Sequence, residues 1–255
     1  MDQKITVTII TLNEEENIKA CIESAWQVAD EIIVVDSLST DKTCEIAESL
    51  GARVYRQSYL GDGLQKDFGV QFAKNDWILH LDADERMDDD MVAEIKAINY
   101  AGSSFDAYAF PRKNYIGNRW QKVWYPDYMI RLYHKDRCRF SPMIGHTSLM
   151  TTNYQRMKGH IIHYSFKDLS DYLVRTAKYS KRDAKVLLGS NRKISSWDPV
   201  IHGFASFVKY FFLKKGFLYG LDGLTASLLG ALRPYLKYAQ VIEMQDSDGT
   251  TRHDG

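Results

Sequence analysis

The residues best suited to chemistry sit where apolar runs stop. The run 77–81 leads into Asp82-Ala83-Asp84, whose first and third residues project from the same side of an extended chain. A carboxylate pair so placed suits Mg2+ or Mn2+, which take oxygen ligands and keep positions open for substrate phosphate. Taken alone, Asp-x-Asp is as readily a solvated turn after a strand. Two other runs also end in polar residues, 5–11 before Leu12-Asn13-Glu14 and 32–35 before Asp36-Ser37. A carboxylate at Asp36 can accept from a base N–H or a ribose hydroxyl, and Thr11 and Asn13 add short donors and acceptors. The plainer role for Asp36 or Asp41 is a helix cap, and Asp41, followed by Lys-Thr-Cys-Glu, reads as one. Lys66 is a candidate cation for the same phosphates, with an exposed helix lysine as the alternative. Asp127, in the aromatic stretch 124–131, is a candidate general base weighed against a turn aspartate after Pro126. His146 is the alternative base. His163 completes a metal site if its strand crosses the same crevice, although a lone histidine is more often structural.

These residues need elements to position them. The β-branched runs at 5–11 and 32–35 read as buried strands, and 14–26 between them places Ile18, Cys21, Ile22 and Ala25 on one helical face. The unit is βαβ, with parallel strands and a right-handed crossover. A helix at 41–50, a strand at 53–56, a helix at 63–73 and the strand at 77–81 repeat the pattern, so residues 1–100 form an α/β nucleotide-type sheet. In such sheets ligands bind outside the carboxyl ends of the strands, which is where Thr11, Asp36 and Asp82 fall. After a helix at 88–100 come short aromatic strands at 108–112, 129–133 and 160–164, expected to be antiparallel or mixed. From Lys167 onward the periodicity is helical. The expected organisation is one domain over 1–165, with a nucleotide-binding half at 1–100 and a second half at 101–165. A helical region at 166–245 and a polar tail at 246–255 follow.

Composition narrows the classes. The 255 residues are 45% hydrophobic and 26% charged, with Lys+Arg and Asp+Glu equal at 33 each, so no global positive field argues for nucleic acid. Three widely spaced cysteines, none in a C-x-x-C pair, fit a reducing compartment. No signal-peptide pattern opens the chain, and the most apolar stretch, 216–232, is interrupted by Asp222, so a cytoplasmic protein is expected. Phe204, Phe207, Val208, Phe211 and Phe212 form a helical stripe near Lys209, Lys214 and Lys215. Such a stripe suits either the inner face of a membrane or packing against the core or a second subunit, a homo-oligomer.

The blocks TIITLNEEENI, DEIIVVDSLSTDKTCEIA, DWILHLDADER and DYMIRLYHK, in this order over residues 4 to about 240, resemble family 2 glycosyltransferases of the GT-A fold. Among these, order and spacing are similar to the lipopolysaccharide core glucosyltransferases. The resemblance implies a GT-A type mixed sheet flanked by helices, with a helical C-terminal region. It also implies inverting, metal-dependent transfer from a UDP-sugar to a saccharide or lipid-linked acceptor. Thr11, Asn13, Glu14 and Asp36 would take the nucleoside, Lys66 the diphosphate side, and Asp82, Ala83 and Asp84 the sugar diphosphate, with Asp84 as the direct metal ligand and Asp127 as base. The chain departs from the family pattern at Leu38, where the family has glycine, and at Gly145-His146-Thr147, where the family often has Val-His-Glu. A dehydrogenase fits poorly, because Thr11-Leu12-Asn13-Glu14 stands where it would carry a glycine-rich turn. A sugar-phosphate nucleotidylyltransferase would carry a basic, glycine-rich loop in place of Asn13-Glu14-Glu15 and remains the enzymatic alternative. A nucleotide-sugar-binding module without turnover is the non-enzymatic one.

Overall fold

A strand without polar alternation is covered on both faces, as parallel strands are. The computed structural model, which describes residues 4–140, 149–190 and 192–247, bears this out. In β1 (Ile5–Thr11) every residue but Ile10 is buried. Next come α1 (Ile18–Ala25), β2 (Glu31–Asp36), α2 (Thr43–Ser49), β3 (Arg53–Arg56), α3 (Asp62–Val70), β4 (Trp77–Asp82), β5 (Glu85–Met87) and α4 (Asp89–Ala97). After these follow β6 (Ala107–Ile116), β7 (Arg119–Trp120), β8 (Tyr128–His134), β9 (Arg139–Phe140), β10 (Leu149–Met150), β11 (Tyr154–Arg156) and β12 (Ile161–Phe166). Helices α5 (Leu169–Leu188), α6 (Asp198–Val208) and α7 (Gly220–Ser247) close the chain.

The main sheet runs β3-β2-β1-β4-β8-β6-β12-β5, with β7 and β11 also paired to β6. Strands β3, β2, β1 and β4 are parallel, whereas β8 is antiparallel to β4 and β6 antiparallel to β8, so the sheet is mixed as expected. By contact density the chain divides into two units, residues 1–113 with 126–164, and residues 114–125 with 165–255. The first holds the large core, where Ile18, Cys21, Ile22 and Ala25 of α1 pack beside Val7, Ile9, Leu79 and Leu81. The helical unit has a smaller core of Ile116, Tyr172 and Leu229, joined by Trp124 and Phe166.

Several expectations shift. Helix α1 starts at Ile18 rather than residue 14, because Asn13 stands at φ +55° and Glu14 O accepts from Asn17 N (2.9 Å) and Ile18 N (2.8 Å), closing a turn first. The three-residue β5, paired antiparallel to β12, is too short to show a period. The stripe at 204–212 does not stay on one helical face. A π-helical turn, Lys209–Leu213, widens the helix and changes its phase. Phe207 then stacks on Phe211 (5.2 Å), whereas Phe204 and Phe212 face solvent.

Leu38, the residue at the family's glycine position, is exposed and holds the left-handed conformation at φ +70°. An L-residue with a Cβ pays roughly 1–2 kcal/mol for that geometry. Leu38→Gly removes the clash and adds chain entropy to the unfolded state, for a net stabilisation of about 0–1 kcal/mol. Leu38→Val, β-branched at the same φ, should destabilise by about 1 kcal/mol. Urea denaturation of the two variants checks the order, which reverses if the loop is not held at positive φ.

Candidate active site

Register brings the polar strand ends together. Thr11 pairs with Asp36 across β1 and β2, Ile10 pairs with Asp82 across β1 and β4, and Ala83 N donates to Ile10 O (3.2 Å). Thr11, Asp36, Asp82 and Ala83 therefore share one end of the parallel strands.

Asp82 is surrounded by cationic and polar groups. Arg131, on β8, donates from Nη2 to Oδ2 at 2.9 Å. Lys66, on α3, approaches Oδ1 at 3.3 Å, and His80 Nε2 lies 3.2 Å from the same oxygen. Desolvation alone would raise the Asp82 pKa, but Lys66 and Arg131 together hold the carboxyl well below the usual range. The other face of His80 meets Thr8 Oγ1 at 3.1 Å. Burial, helped by the positive Lys66, pushes the His80 pKa down to about 3, so the ring is neutral at ordinary pH.

Arg131 is buried and also donates to Glu85, which is fully buried. Burial would lower the arginine's pKa, but Glu85 and Asp82 raise it, and the guanidinium stays charged. Glu85 Oε2 accepts from Asp82 N (3.1 Å), and Oε1 is also reached by Arg112 Nη1 (3.4 Å). Arg112 then forks onto Asp127 Oδ2 through Nε (2.9 Å) and Nη2 (2.7 Å). A continuous chain of ion pairs thus joins Asp82 to Asp127. The fork fixes the orientation of Asp127.

Asp84 has a different neighbour. His163 Nε2, on β12, lies 3.3 Å from Asp84 Oδ2, and Tyr164 N donates to Asp84 O (3.0 Å). One carboxylate and one imidazole at this separation can share a divalent cation, and the mixed oxygen and nitrogen set fits Mn2+ more readily than the all-oxygen preference of Mg2+. Asp82 fits less well as a direct ligand because both its oxygens already face cations or His80. Among the described residues, no group of three or more His, Cys, Asp or Glu side chains is arranged for a metal. A cation here would take its remaining ligands from phosphate or water.

The nucleoside-side candidates divide into scaffold and open groups. Asn13 N donates to Ser39 Oγ (2.8 Å), and its Oδ1 accepts from Thr40 N (2.9 Å). Glu14 N donates to Thr43 Oγ1 (2.8 Å), and its carboxylate accepts from Asn17 (2.7 Å). These two residues tie the β1–α1 loop to the β2–α2 loop. Asp41 Oδ1 accepts from Thr43 N (3.0 Å), closing the turn before α2, whose cap position is Lys42 rather than the expected Asp41. By contrast, Thr11 Oγ1 and Asp36 Oδ1 are buried with no hydrogen-bond partner among the described residues, although Asp36 Oδ2 accepts from Ser39 N (2.9 Å) and lies 3.7 Å from Arg56 Nε. Buried polar atoms rarely stay unpaired, which makes these two candidates for hydrogen bonds from a ligand.

His146 lies outside the described residues, together with Gly145 and Thr147. The aromatic stretch around Asp127 is partly core. Trp124 stacks near Tyr172 (5.9 Å) and donates to Ala226 O (3.3 Å) within the helical unit. Tyr128, in the sheet unit, is exposed, with the Arg156 guanidinium 4.9 Å from its ring. His80, Glu85, Arg112 and Arg131 were not singled out from the sequence. The available signal was a charged or imidazole side chain inside an apolar strand, at Leu79-His80-Leu81 and Ile130-Arg131-Leu132.

A parallel half-sheet with polar carboxyl ends, continued by antiparallel strands and followed by helices, is the GT-A arrangement of nucleotide-sugar transferases. Residues 6–155 match glycosyl transferase family 2, and the chain belongs to that family. An uncharacterized glycosyltransferase of Rickettsia bellii is 34% identical over 259 residues, covering 96% of this chain and 88% of the relative. The lipopolysaccharide core biosynthesis glycosyltransferase LpsC of Rhizobium meliloti is 24% identical over 253 residues, covering 94% and 92%. Among solved structures, S. aureus TarS 1-349 in complex with UDP aligns over 97% of this chain and 92% of that one, at 16% identity and a TM-score of 0.48.

The buried His80 gives a pH signature. The unfolded histidine takes a proton below about pH 6.5, whereas the folded one does so only near 3, so the unfolded state binds more protons in between. Stability should therefore fall as pH drops from about 6.5 towards 3. Asp82, whose pKa is depressed on folding, adds its own loss only below about pH 4. In His80→Gln, which can still bridge Thr8 and Asp82, the decline between pH 6.5 and 4 should flatten. Urea midpoints measured in chelator across this range check it, and an unchanged slope would contradict a neutral buried imidazole.

Proposed function

We propose that this chain is an inverting, metal-dependent hexosyltransferase. It moves glucose or another hexose from a UDP-sugar to a saccharide or lipid-linked glycan in the assembly of a cell-envelope polysaccharide such as lipopolysaccharide. One observation carries the reading: Thr11 Oγ1 and Asp36 Oδ1, buried and without a hydrogen-bond partner among the described residues, belong to residues paired across β1 and β2, one register step from Asp82. A uracil ring supplies the complement, an N–H for the Asp36 carboxylate and a carbonyl for the Thr11 hydroxyl. The name of LpsC supports the envelope setting.

Asn13, Glu14 and Ser39 hold the loops that flank the nucleoside. Lys66 adds a positive charge on the diphosphate side, next to Asp82. Asp84 and His163 would hold Mn2+ or Mg2+, which when bound offsets the charge building on the departing diphosphate. Asp127, oriented by Arg112, takes the proton of the acceptor hydroxyl as that oxygen attacks the anomeric carbon from the face opposite the leaving group, and a single displacement inverts that centre.

UDP release from a panel of UDP-hexoses, with lipopolysaccharide-type saccharides as acceptors, tests the reading. Release should require a divalent cation. Asp127→Asn should lower acceptor-dependent turnover by at least about a hundredfold and leave UDP affinity nearly unchanged, because the lost interaction belongs to the transition state. Turnover near wild type in this variant would move the base role to His146 or another carboxylate.

A further inference from the structure

Helices α6 and α7 form an antiparallel hairpin whose inner seam is made of small residues. Gly203 lies against Tyr235, Ser206 Oγ donates to Gly230 O (3.1 Å), and Gly216 lies against Gly223 and Ser227. A Cβ on Gly230 would collide with the Tyr210 ring, and one on Gly216 with the backbone of Tyr210. Close approach of the two helices therefore sets glycine and serine against the rings of Tyr210 and Tyr235, while many other large apolar side chains are left exposed.

The turn of the hairpin carries them. It comprises the π-helical turn Lys209–Leu213, a left-handed Lys215 at φ +56°, the short 3-10 turn Gly216–Tyr219 and Gly220 at φ +57°. Phe212, Leu213, Phe217, Leu218, Tyr219 and Leu221 are all exposed here, Leu213 at 76% of its surface. Trp197, Ile201 and Phe204 continue the exposed face along α6. Six large apolar side chains exposed within the ten residues 212–221 exceed the scattered exposure normal for a soluble surface.

Charge selects what covers them. Residues 199–221 contain Lys209, Lys214 and Lys215 and no Asp or Glu. Lys122 adds a fourth cation, with its ammonium 5.8 Å from the Tyr219 ring. The helical unit as a whole has 16 Lys and Arg against 9 Asp and Glu, and the rest of the chain has 17 against 24, so the neutral total hides a net +7 and a net −7. A second copy would bring the same lysines against these and repel them. An anionic bilayer complements both features, with lipid phosphates for the lysines and the acyl boundary for the phenylalanines and leucines. Among the described residues no helix is long and apolar enough to cross a membrane.

We propose that the α6–α7 turn is a membrane-docking tip that inserts its apolar side chains into the headgroup boundary of an anionic phospholipid bilayer, held by Lys209, Lys214, Lys215 and Lys122. This surface lies wholly in the helical unit, and the proposal does not rest on glycosyl transfer.

Co-sedimentation with vesicles of phosphatidylcholine alone, or of phosphatidylcholine with phosphatidylglycerol, tests it. The full chain should pellet with the anionic vesicles at low ionic strength, more weakly at high salt, and far less with neutral ones. Leu213→Asp with Leu218→Asp, both at exposed positions, should abolish binding while leaving the thermal transition unchanged. A Lys209, Lys214, Lys215 triple alanine variant should lower the partition coefficient by on the order of a hundredfold, about fivefold per lysine. Failure of the folded wild type to bind anionic vesicles overturns the proposal, as does binding unaffected by the aspartate substitutions. A lipid-independent dimer in sedimentation velocity that those substitutions dissolve would assign the tip to a second copy and also overturn it.

Discussion

The sheet end depends on one buried guanidinium. Arg131 sits inside the protein with Asp82 and Glu85 on its donors, and an unpaired charge at that depth would be severely destabilising. The arrangement forces three things to coincide. Strand β8 must lie beside β4 so that Arg131 reaches Asp82, the chain must turn after Asp82 so that Glu85 comes back to the same guanidinium, and Glu85 must receive Asp82 N. The local path of residues 82–85, and therefore the direction in which Asp84 leaves the sheet, follows from satisfying that charge. Arg112 extends the set to Asp127, so Asp82 and Asp127 belong to one electrostatic unit.

The two aspartates of Asp82-Ala83-Asp84 consequently have different surroundings despite their i, i+2 spacing. Asp82 faces Arg131, Lys66 and His80 and keeps its charge by compensation. Asp84 faces His163 on a different strand. The sequence motif suggests a pair acting together on a cation, whereas the surroundings suit one carboxylate to fixing the turn and the other to binding.

Much of the sheet could be read from the chain because parallel strands announce themselves. The runs at 5–11 and 32–35 are β-branched and apolar throughout, and polar residues at their carboxyl ends fall at one edge once the strands are parallel. Thr11, Asp36 and Asp82 were legible for that reason. His80 and Arg131 were not, because a single polar residue in an apolar strand does not say which partner lies across the fold, and their partners are 72 and 49 residues away in sequence. The aromatic density around Trp124 was misleading in the same way, since composition cannot separate a ring that faces a ligand from one that stacks on Tyr172. The π turn at Lys209–Leu213 changed the facing of residues that a regular 3.6 period places on one side. Leu38 shows that a loop can keep a glycine-like backbone without glycine, provided Ser39 and Thr40 are pinned to Asp36 and Asn13.

Calorimetric UDP titrations with Mn2+ and with chelator separate the roles of Asp82 and Asp84 when Asp82→Asn and Asp84→Asn are compared. Asp84→Asn should make UDP affinity the same with and without Mn2+ while the urea midpoint stays close to wild type. Asp82→Asn should lower the urea midpoint, because Arg131 and Lys66 lose a counter-charge, while Mn2+ still strengthens UDP binding. The reverse pattern, metal dependence lost at Asp82 and retained at Asp84, would contradict these roles.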